Sequence, residues 1–227
     1  RFLQGEMNIS TENQSVCAVV VAAGSSRRMG GENKLLLPLC GKPVLAHTLT
    51  AFQMCGAVRD IVLVCREQDM EVYRTLAAEN GITKLRTLTR GGDTRTESVL
   101  AGVSAASEAC ALVAVHDGAR PLVSDEVITQ AVDEAAKTGA AAPVVPVKDS
   151  IKRIENGKIV ADVPRDTLAA VQTPQVFRRE LLLDALQSAA ASGRSFTDDC
   201  AAVEALGQTV SATLGSYENI KVTTPED

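Results

Sequence analysis

Short apolar runs alternate with longer amphipathic stretches along this chain. Runs that are apolar on both faces and rich in small or β-branched residues predict buried strands, at Val16–Ala23, Ile61–Cys65, Leu112–His116 and Ala140–Val147. Stretches with helical periodicity lie between them, at Pro43–Met54, Gln68–Glu79, Thr94–Glu108 and Ser124–Lys137. Repeated β-α units of this kind predict an α/β domain, with a Rossmann-like, mostly parallel sheet and helices on both faces.

Capping signals mark the ends of two of these helices. Thr94 stands three residues before Glu97, which is the spacing of a capping box, and Ser124 precedes two acidic residues that suit a first helical turn. Gly139 lies where a glycine commonly ends a helix. These residues predict that one helix begins at Thr94, and that a second begins at Ser124 and ends at Gly139.

The pattern changes after Val147, where polar and apolar residues alternate. Two alternating runs flank Glu155-Asn156-Gly157, and Asn-Gly in that setting predicts a β-hairpin. We expect the hairpin, with strands Lys148–Ile154 and Lys158–Val163, to project as an arm at about residues 147–175. The sequence predicts further helices at Arg178–Ala191 and Thr197–Ala205, and strands at Thr209–Thr213 and Asn219–Thr223. Residues 15–227 should form one domain, and the polar residues 1–14 should be disordered or foreign to the natural protein.

Composition and charge exclude several classes of protein. The chain is 45% hydrophobic with a net charge of −5 and no block of Lys and Arg, which argues against nucleic-acid binding. The longest run without charged residues, Pro43–Val58, contains His, Thr and Gln, so we expect no membrane span. Two histidines exclude a His-rich metal centre. Six scattered cysteines without a CxxC pair predict a reduced, cytoplasmic protein, or one of the plastid stroma if the organism has plastids.

The first predicted strand leads into a loop of small and basic residues, from Ala22-Ala23-Gly24 to Lys34. Small residues at the carboxyl end of a strand let backbone N–H groups approach a phosphate closely. The loop lacks both GxGxxG and GxxxxGK[ST], which argues against a Rossmann dinucleotide site and a P-loop. Between Gly24 and Lys42 the local charge is +3, from four basic residues and one acid. These features predict a phosphate-binding loop of another kind, and the alternative is a flexible surface loop with solvated arginines.

Six further motifs follow this loop in a fixed order: Gly91-Gly92-Asp93-x-Arg95-x-x-Ser98-Val99, Val115–Pro121, Pro146–Ser150, Thr173-Pro174-Gln175, Thr197-Asp198-Asp199 and Asn219–Thr223. Each motif alone is a weak signal. Together with the loop AAGSSRRMG…K, they resemble the 2-C-methyl-D-erythritol 4-phosphate cytidylyltransferases, a family of the non-mevalonate isoprenoid pathway within the sugar-nucleotide and cytidylyltransferase superfamily. The resemblance covers essentially residues 16–227.

The resemblance implies an enzyme that transfers a cytidylyl group from CTP to 2-C-methyl-D-erythritol 4-phosphate and releases pyrophosphate. The substrate phosphate attacks the α-phosphorus in line, so catalysis rests on positioning and cationic stabilisation rather than on a nucleophilic side chain. By resemblance, Arg28 and Lys34 clamp the triphosphate and Lys221 reaches the α-phosphate. Arg27 competes with Arg28 for this role, and Arg28 is preferred because it aligns with the family's functional arginine. Mg²⁺ would bridge the phosphates, held mainly by the nucleotide itself, and the resemblance names no protein ligand for it.

Two positions in the loop depart from the family's pattern. Ser26 stands where a second glycine is common, and Asn33-Lys34-Leu35 replaces a common Pro-Lys-Gln. Because proline restricts the backbone, its loss predicts that Lys34 is presented less rigidly here.

Nucleotide contacts are implied in the loop after the first strand, in the turn before the Thr94 helix and at the end of the strand Leu112–His116. The resemblance places cytosine recognition at the backbone of Gly92 and Asp93 with the Ser98 hydroxyl, and it places Asp117 near the ribose and metal. From the residues alone, Gly91–Asp93 is a tight turn into a capped helix and Asp117 bonds its local backbone. His116 is interpreted as structural. The complete implied set of nucleotide-binding residues is Ala22, Ala23, Gly24, Gly92, Asp93, Ser98, Asp117, Gly118 and Lys221.

Contacts to the second substrate are implied on and near the arm. Arg165 would bind the phosphate of the methylerythritol substrate, although an arginine on a polar hairpin is usually a solvated charge. The other implied contacts are Asp117, Arg120, Ser150, Thr173 and Thr197, and Thr197-Asp198-Asp199 also suits a helix N-cap with two acids in the first turn. Because an isolated hairpin is marginally stable, we expect a homodimer in which the arm and Arg165 complete the partner's active site. The alternative is an arm that folds back onto its own subunit.

Two other functions compete with this interpretation. A ribitol 5-phosphate cytidylyltransferase has closely related motifs, although VPVKDSIK, AAVQTPQVF and TDDCAAVE resemble the methylerythritol phosphate family more. An inactive paralogue that serves as a binding subunit is disfavoured, because Arg28, Lys34, Asp117, Arg165 and Lys221 are all present.

Overall fold

The computed structural model describes residues 15–24, 33–194, 196–224 and 226–227. Predictions on residues 1–14 and on Ser26, Arg27 and Arg28 lie outside these residues. The strands are β1 Val16–Ala22, β2 Pro38–Leu39, β3 Lys42–Pro43, β4 Val58–Cys65, β5 Leu85–Arg90, β6 Leu112–Asp117, β7 Ala140–Pro146, β8 Ile151–Glu155, β9 Lys158–Val163, β10 Ala169–Val171, β11 Gln175–Arg178 and β12 Ser211–Leu214. The helices are α1 Val44–Met54, α2 Met70–Glu79, α3 Arg95–Ala105, α4 Asp125–Thr138, α5 Arg179–Ser192 and α6 Asp199–Glu204.

An eight-stranded mixed sheet forms the centre of the fold. Strands β7, β11, β6, β1, β4 and β5 follow one another across it, and β10 and β12 both pair with β7. Pairing is parallel from β6 through β1 and β4 to β5, and between β7 and β12. Strand β11 is antiparallel to both of its neighbours, and β10 is antiparallel to β7. The predicted α/β class with a mostly parallel sheet is confirmed, with an antiparallel insertion between β6 and β7.

The two faces of the sheet are covered by separate sets of helices, as predicted. Along β1, Val16, Ala18 and Val20 belong to a core cluster that includes residues of α1, α2 and α4. Cys17 and Val19 point the other way, into a cluster with residues of α3, α5 and α6. Side chains of a strand alternate between faces, so a strand that is buried on both must be apolar throughout.

Most local predictions agree with the structure. The Thr94 side chain accepts a hydrogen bond from the Glu97 amide in a complete capping box, and Ser124 accepts one from the Val127 amide. Gly139 ends α4 with a φ of 96°, a left-handed conformation that glycine adopts without strain.

Two local predictions are wrong. Asp198, not Thr197, caps α6 by accepting a hydrogen bond from the Ala201 amide, so only Asp199 lies in the first turn. Asn219–Thr223 is not a strand, because among the described residues the segment meets the end of the sheet through a single backbone bond, from the Val222 amide to the Ala119 carbonyl (2.8 Å). One such bond cannot form a ladder.

The predicted arm is present as a hairpin of β8 and β9, which form a two-stranded sheet of their own. Asn156 and Gly157 have φ of 49° and 75°, the two positive angles that a type I′ hairpin turn requires. Ile154 and Ile159 are 57% and 69% exposed. The arm therefore presents apolar side chains that its own subunit leaves uncovered. In the described parts of the chain, no helix has both the length and the apolar character to cross a membrane.

Candidate active site

A cavity of about 590 Å³ opens where the parallel strands end together. Val21 of β1 is level with Asp117 of β6, while Ala22 is level with Cys65 of β4. Every connection that leaves these strand ends therefore starts at the same edge of the sheet, which is where α/β proteins bind ligands. The cavity is lined by Val21, Ala22, Ala23, Gly24, Lys34, Leu35, Gly92, Asp93, Thr94, Arg95, Ser98, Asp117, Ala119, Lys221 and Thr223.

This cavity gathers many of the predicted site residues, from distant parts of the sequence. The predicted residues that line it are Ala22, Ala23, Gly24, Lys34, Gly92, Asp93, Ser98, Asp117 and Lys221. Six predicted residues are not part of the lining: Gly118, Arg120, Ser150, Arg165, Thr173 and Thr197. Arg28, also predicted for this site, lies outside the described residues.

Asp117 and Lys221 form an ion pair within the cavity, with 2.7 Å between Lys221 Nζ and Asp117 Oδ2. Burial, the largest single influence, would raise the pKa of Asp117, but Lys221 together with Arg95 and His116 outweighs it and holds the pKa below its ordinary value. Arg120 lies further back, with its Nε 3.8 Å from the same carboxylate oxygen. It also donates a 2.5 Å hydrogen bond to the Asn219 carbonyl, so it braces the segment that carries Lys221. Arg120 therefore supports the site from behind.

Thr173 and His116 form a buried layer beneath Asp117. The Thr173 hydroxyl lies 2.9 Å from His116 Nδ1 and accepts a 3.2 Å hydrogen bond from the Asp117 amide. Burial lowers the pKa of His116 to about 4, so the ring is neutral near pH 7. The structural interpretation of His116 fits this position. Thr173, predicted as a substrate contact, directs its hydroxyl to protein groups here.

Gly92 and Ser98 shape the wall at the start of α3. The Gly92 amide donates to Ser98 Oγ (3.1 Å), and this hydroxyl donates to the Thr94 carbonyl (2.9 Å). A Cβ on Gly92 would lie 2.3 Å from Glu97 Cβ, so the close turn requires glycine. The alternative interpretation of Gly91–Asp93 as a turn into a capped helix is therefore correct locally, and the same turn lines the cavity.

Lys34 enters the cavity from a short 3₁₀ turn, Lys34–Leu36. Its Nζ donates a 2.6 Å hydrogen bond to the Val222 carbonyl, which brings it beside the segment that holds Lys221. The next residue, Leu35, is buried in the core and anchors the turn to the sheet. Two cationic side chains from opposite ends of the chain therefore lie at one site.

Arg95 is a cavity residue to which the sequence analysis gave no role. Its guanidinium donates two 2.8 Å hydrogen bonds to the two carboxylate oxygens of Asp199. Burial, the largest single influence, opposes its charged form, but the carboxylates of Asp199, Asp117 and Asp198 together outweigh it and raise the pKa of Arg95. Arg95 thus remains a fixed cation in the cavity wall. The sequence could have indicated Arg95 as a site residue through its place in the motif that begins at Gly91, combined with the acidic pair at residues 198 and 199.

Arg165 and Ser150 lie apart from this cavity. Arg165 begins a 3₁₀ turn after β9, is exposed and donates a hydrogen bond to the Lys148 carbonyl. It lines a second depression of about 520 Å³, which shares no described residue with the first cavity. Ser150 and Thr197 are exposed. The predicted phosphate contact of Arg165 is thus not made within the first cavity of this single chain.

The described residues include no group of three or more His, Cys, Asp or Glu side chains that could enclose a metal ion. Two carboxylates, those of Asp93 and Asp117, do line the cavity. Mg²⁺ is commonly bound through one or two carboxylates together with substrate phosphates, so this donor set fits an ion that arrives with a nucleotide.

Comparisons with known proteins agree with this geometry. A sequence model of the 2-C-methyl-D-erythritol 4-phosphate cytidylyltransferase family matches residues 16–227. The protein of that name from Dehalococcoides mccartyi strain 195 is 43% identical over 216 residues, which cover 95% of this chain and 93% of that protein. Its namesake from Halalkalibacterium halodurans is 45% identical over 210 residues, 92% of each chain.

Solved structures give the same answer. A 4-diphosphocytidyl-2C-methyl-D-erythritol synthase from Anaerococcus prevotii has a TM-score of 0.84 at 28% identity, covering 94% of this chain and 92% of that one. The 2-C-methyl-D-erythritol 4-phosphate cytidylyltransferase of Thermus thermophilus has a TM-score of 0.75 at 31% identity, covering 92% and 93%. With the family match spanning the whole described fold, this chain belongs to the 2-C-methyl-D-erythritol 4-phosphate cytidylyltransferase family.

Proposed function

We propose that the cavity at the carboxyl edge of the sheet is where this chain transfers a cytidylyl group from CTP to 2-C-methyl-D-erythritol 4-phosphate, with release of pyrophosphate. The observation that carries the proposal is the convergence of Lys34, Arg95 and Lys221 on one cavity. CTP, the second substrate and pyrophosphate are all anionic. A cavity lined by cations from three separate parts of the chain suits all three.

The chemistry requires the substrate phosphate, which is already an anion at pH 7, to attack the α-phosphorus of CTP in line. Lys221 is aimed by its ion pair with Asp117, and a lysine ammonium has three donors, so donors remain for a phosphate. Lys34 lies beside the same segment and serves the triphosphate, as does Arg28. The three cations stabilise charge that grows on the phosphate oxygens during transfer, and the contacts of Lys34 and Lys221 set the positions of these two before the substrates arrive.

Cytosine recognition is assigned to the turn formed by Gly92, Asp93 and Ser98. Ser98 is buried and bonded to Gly92 and to Thr94, so the turn is rigid. A rigid turn next to the small side chains of Ala22 and Ala23 leaves a slot for a base. Selectivity for a pyrimidine then follows from the size of the slot and from hydrogen bonds to the base edge.

Mg²⁺ is the proposed cofactor, with Asp117 as the protein group that meets it. When bound, the ion neutralises phosphate charge and holds the triphosphate in a defined arrangement. Asp117 is suited to this role because its lowered pKa keeps it ionised throughout the neutral range. Ribose contacts would come from the same region, at Asp117 and Gly118.

A homodimer in which the arm completes the partner's site is the proposed assembly. Ile154, Ile159 and Val160 of the arm are exposed, and an isolated two-stranded hairpin is marginal in water. Arg165 lies outside the first cavity of its own chain, so a contact with the second substrate requires another subunit or a large movement. In this assembly Arg165 binds the phosphate of the polyol substrate, Ser150 contacts the hydroxyl groups of that substrate, and Thr197 is a further substrate contact.

A reducing compartment, the cytoplasm, is the proposed location. All six cysteines are free thiols. Burial raises the pKa of Cys17 to about 12 and that of Cys65 to about 11, so these two are packing residues rather than reactive ones.

Product identification tests the function directly. The purified chain is mixed with CTP, Mg²⁺ and either 2-C-methyl-D-erythritol 4-phosphate or ribitol 5-phosphate, and products are identified by mass spectrometry. We expect the cytidine diphosphate derivative of methylerythritol with equimolar pyrophosphate, and no product from the Lys34→Met variant on the same timescale. Preferred turnover of ribitol 5-phosphate would reassign the substrate, and no product from either polyol would refute the enzymatic function.

A further inference from the structure

Asn33 precedes Lys34 and caps the turn that carries it into the cavity. The Asn33 Oδ1 accepts a 3.2 Å hydrogen bond from the Leu35 amide. The Asn33 backbone has a φ of −74° and a ψ of 94°, an extended conformation from which Lys34 starts the 3₁₀ turn. Lys34 therefore lies between Asn33, which caps the turn, and the buried Leu35.

The amide of Asn33 is held by one group of α2 and one of the connection between β4 and α2. Its Nδ2 donates a 2.8 Å hydrogen bond to the Tyr73 hydroxyl and lies 3.5 Å from Asp69 Oδ1. Asp69 in turn accepts hydrogen bonds of 2.6 and 3.2 Å from the Arg66 guanidinium. Because a carboxylate only accepts and an amide N–H only donates, this set of partners fixes which way the Asn33 amide points.

The group that anchors Asn33 is itself immobile. Tyr73 is fully buried in the core, and Asp69 is 7% exposed. Burial raises the pKa of Tyr73 to about 12, so its hydroxyl stays neutral and available for the hydrogen bond. Polar groups that are buried and fully partnered make rigid supports, since breaking one bond leaves another group unsatisfied.

We propose that Asn33, held by Tyr73 and Asp69, is a positioning residue for Lys34 that takes over the restraint which proline gives at this position in other members of the family. This inference rests on the proposed function of Lys34. The hydrogen bonds of the Asn33 side chain fix the start of the turn, and Leu35 fixes its middle. The orientation of Lys34 toward the cavity is thereby fixed by hydrogen bonds of the Asn33 side chain rather than by the pyrrolidine ring of a proline.

The test is steady-state turnover of CTP and 2-C-methyl-D-erythritol 4-phosphate by the full chain, with melting temperature measured in parallel. We expect Asn33→Ala to lower kcat about tenfold, because small misplacement of a catalytic group costs up to about 10²-fold. Tyr73→Phe should lower kcat about threefold, and adding it to Asn33→Ala should lower kcat no further, since both remove one anchor. Asn33→Pro should return kcat to within about threefold of the parent, because the observed φ suits proline.

Two comparisons separate positioning from general stability. Asn80→Ala is the matched control, because the Asn80 side chain, at the C-terminal end of α2, also makes a hydrogen bond to that helix, to the Leu76 carbonyl (2.8 Å), away from the cavity. It should lower the melting temperature without changing kcat. In a Lys34→Met background, Asn33→Ala should change the residual rate less than about twofold, because the residue it positions is gone.

Other results would overturn the proposal. A kcat within twofold of the parent for both Asn33→Ala and Tyr73→Phe would do so, as would a tenfold effect of Asn33→Ala that persists without Lys34. An Asn33→Pro variant as impaired as Asn33→Ala would show that a backbone restraint is not what the anchor supplies. If the parent chain itself forms no product, the proposed function fails first, and the two failures are distinguishable.

Discussion

Acidification should destabilise this protein through His116, a residue buried beneath the cavity. Its Nε2 lies 3.2 Å from the Arg120 carbonyl, and a carbonyl only accepts, so Nε2 carries the proton and donates it. Nδ1 must then accept from the Thr173 hydroxyl, which in turn accepts from the Asp117 amide. A second proton on Nδ1 would reverse its hydrogen bond with Thr173, so that the hydroxyl must accept there and direct its own proton elsewhere, and it would place an uncompensated charge in the core.

The size of the effect follows from the pKa of the buried ring. Burial lowers the pKa of His116 from 6.5 to about 4. Since a tenfold change in proton affinity corresponds to about 1.4 kcal/mol, the neutral ring is favoured in the folded state by about 3 kcal/mol. Between pH 6.5 and 4 the unfolded chain binds a proton at this position and the folded chain does not. The free energy of unfolding therefore falls as the pH falls through this window, by about 2 kcal/mol at pH 5.

Urea denaturation at pH 7.5, 6 and 5 measures this loss, with His116→Gln as the non-titrating reference. The variant loses the edge contact with Phe52, whose ring centroid is 4.8 Å away, and starts from a lower stability. The difference in stability between parent and variant should shrink by about 2 kcal/mol between pH 7.5 and 5. Parallel pH profiles for the two proteins would refute the reasoning. An NMR titration of the folded parent gives a second check, because a His116 midpoint near 6.5 would contradict the burial argument.

Three further predictions concern the active site. Lys34→Met and Arg28→Met should each lower kcat by about 10²–10³-fold with an unchanged melting curve, and near-parental turnover of either would remove its assigned role. CTP should be used far more efficiently than ATP or GTP in competition assays, and equal kcat/KM with ATP would contradict the pyrimidine slot at Gly91–Asp93. Co-refolding Lys34→Ala with Arg165→Met chains, each inactive alone, should restore about a quarter of parental activity if the arm acts in trans, because half of the dimers are mixed and each has one intact site. No recovery at any mixing ratio would place the arm in cis.

The elements that the sequence predicted well are those whose signal is local. Strand β1 is apolar throughout because both of its faces are covered. In the arm, Asn156-Gly157 supplies the two positive φ angles of the turn between β8 and β9. Strands β5 and β11 were missed. Arg86 and Arg90 give β5 the polarity of a loop, because β5 is at the edge of the sheet. The four residues of β11 owe their strand to pairing with β6 and β7, which no local pattern records.

The same distinction applies to the candidate site. Ala22, Ala23, Gly24 and Asp117, which were predicted at the ends of β1 and β6, line the cavity, because the end of a buried parallel strand predicts its own location. Gly118, one residue further on, does not line it. Arg95 received no role, because its orientation comes from Asp199, more than a hundred residues away. The position of Arg165 relative to a second subunit depends on contacts between chains. Within one chain, the sign of such contacts is an exposed apolar side chain such as that of Ile159.

The contact between Lys34 and the Val222 carbonyl joins two segments separated by 188 positions, and Lys221 meets Asp117 from the same late segment. During synthesis on a ribosome, the sheet and most of the core are complete before this late segment emerges. A nascent chain can thus be almost fully folded and still lack Lys221, one of the cations proposed to act in catalysis. Activity therefore requires synthesis through Lys221, and a chain truncated just before Lys221 should lose turnover while its core, and its recognition by conformation-specific antibodies, stay intact.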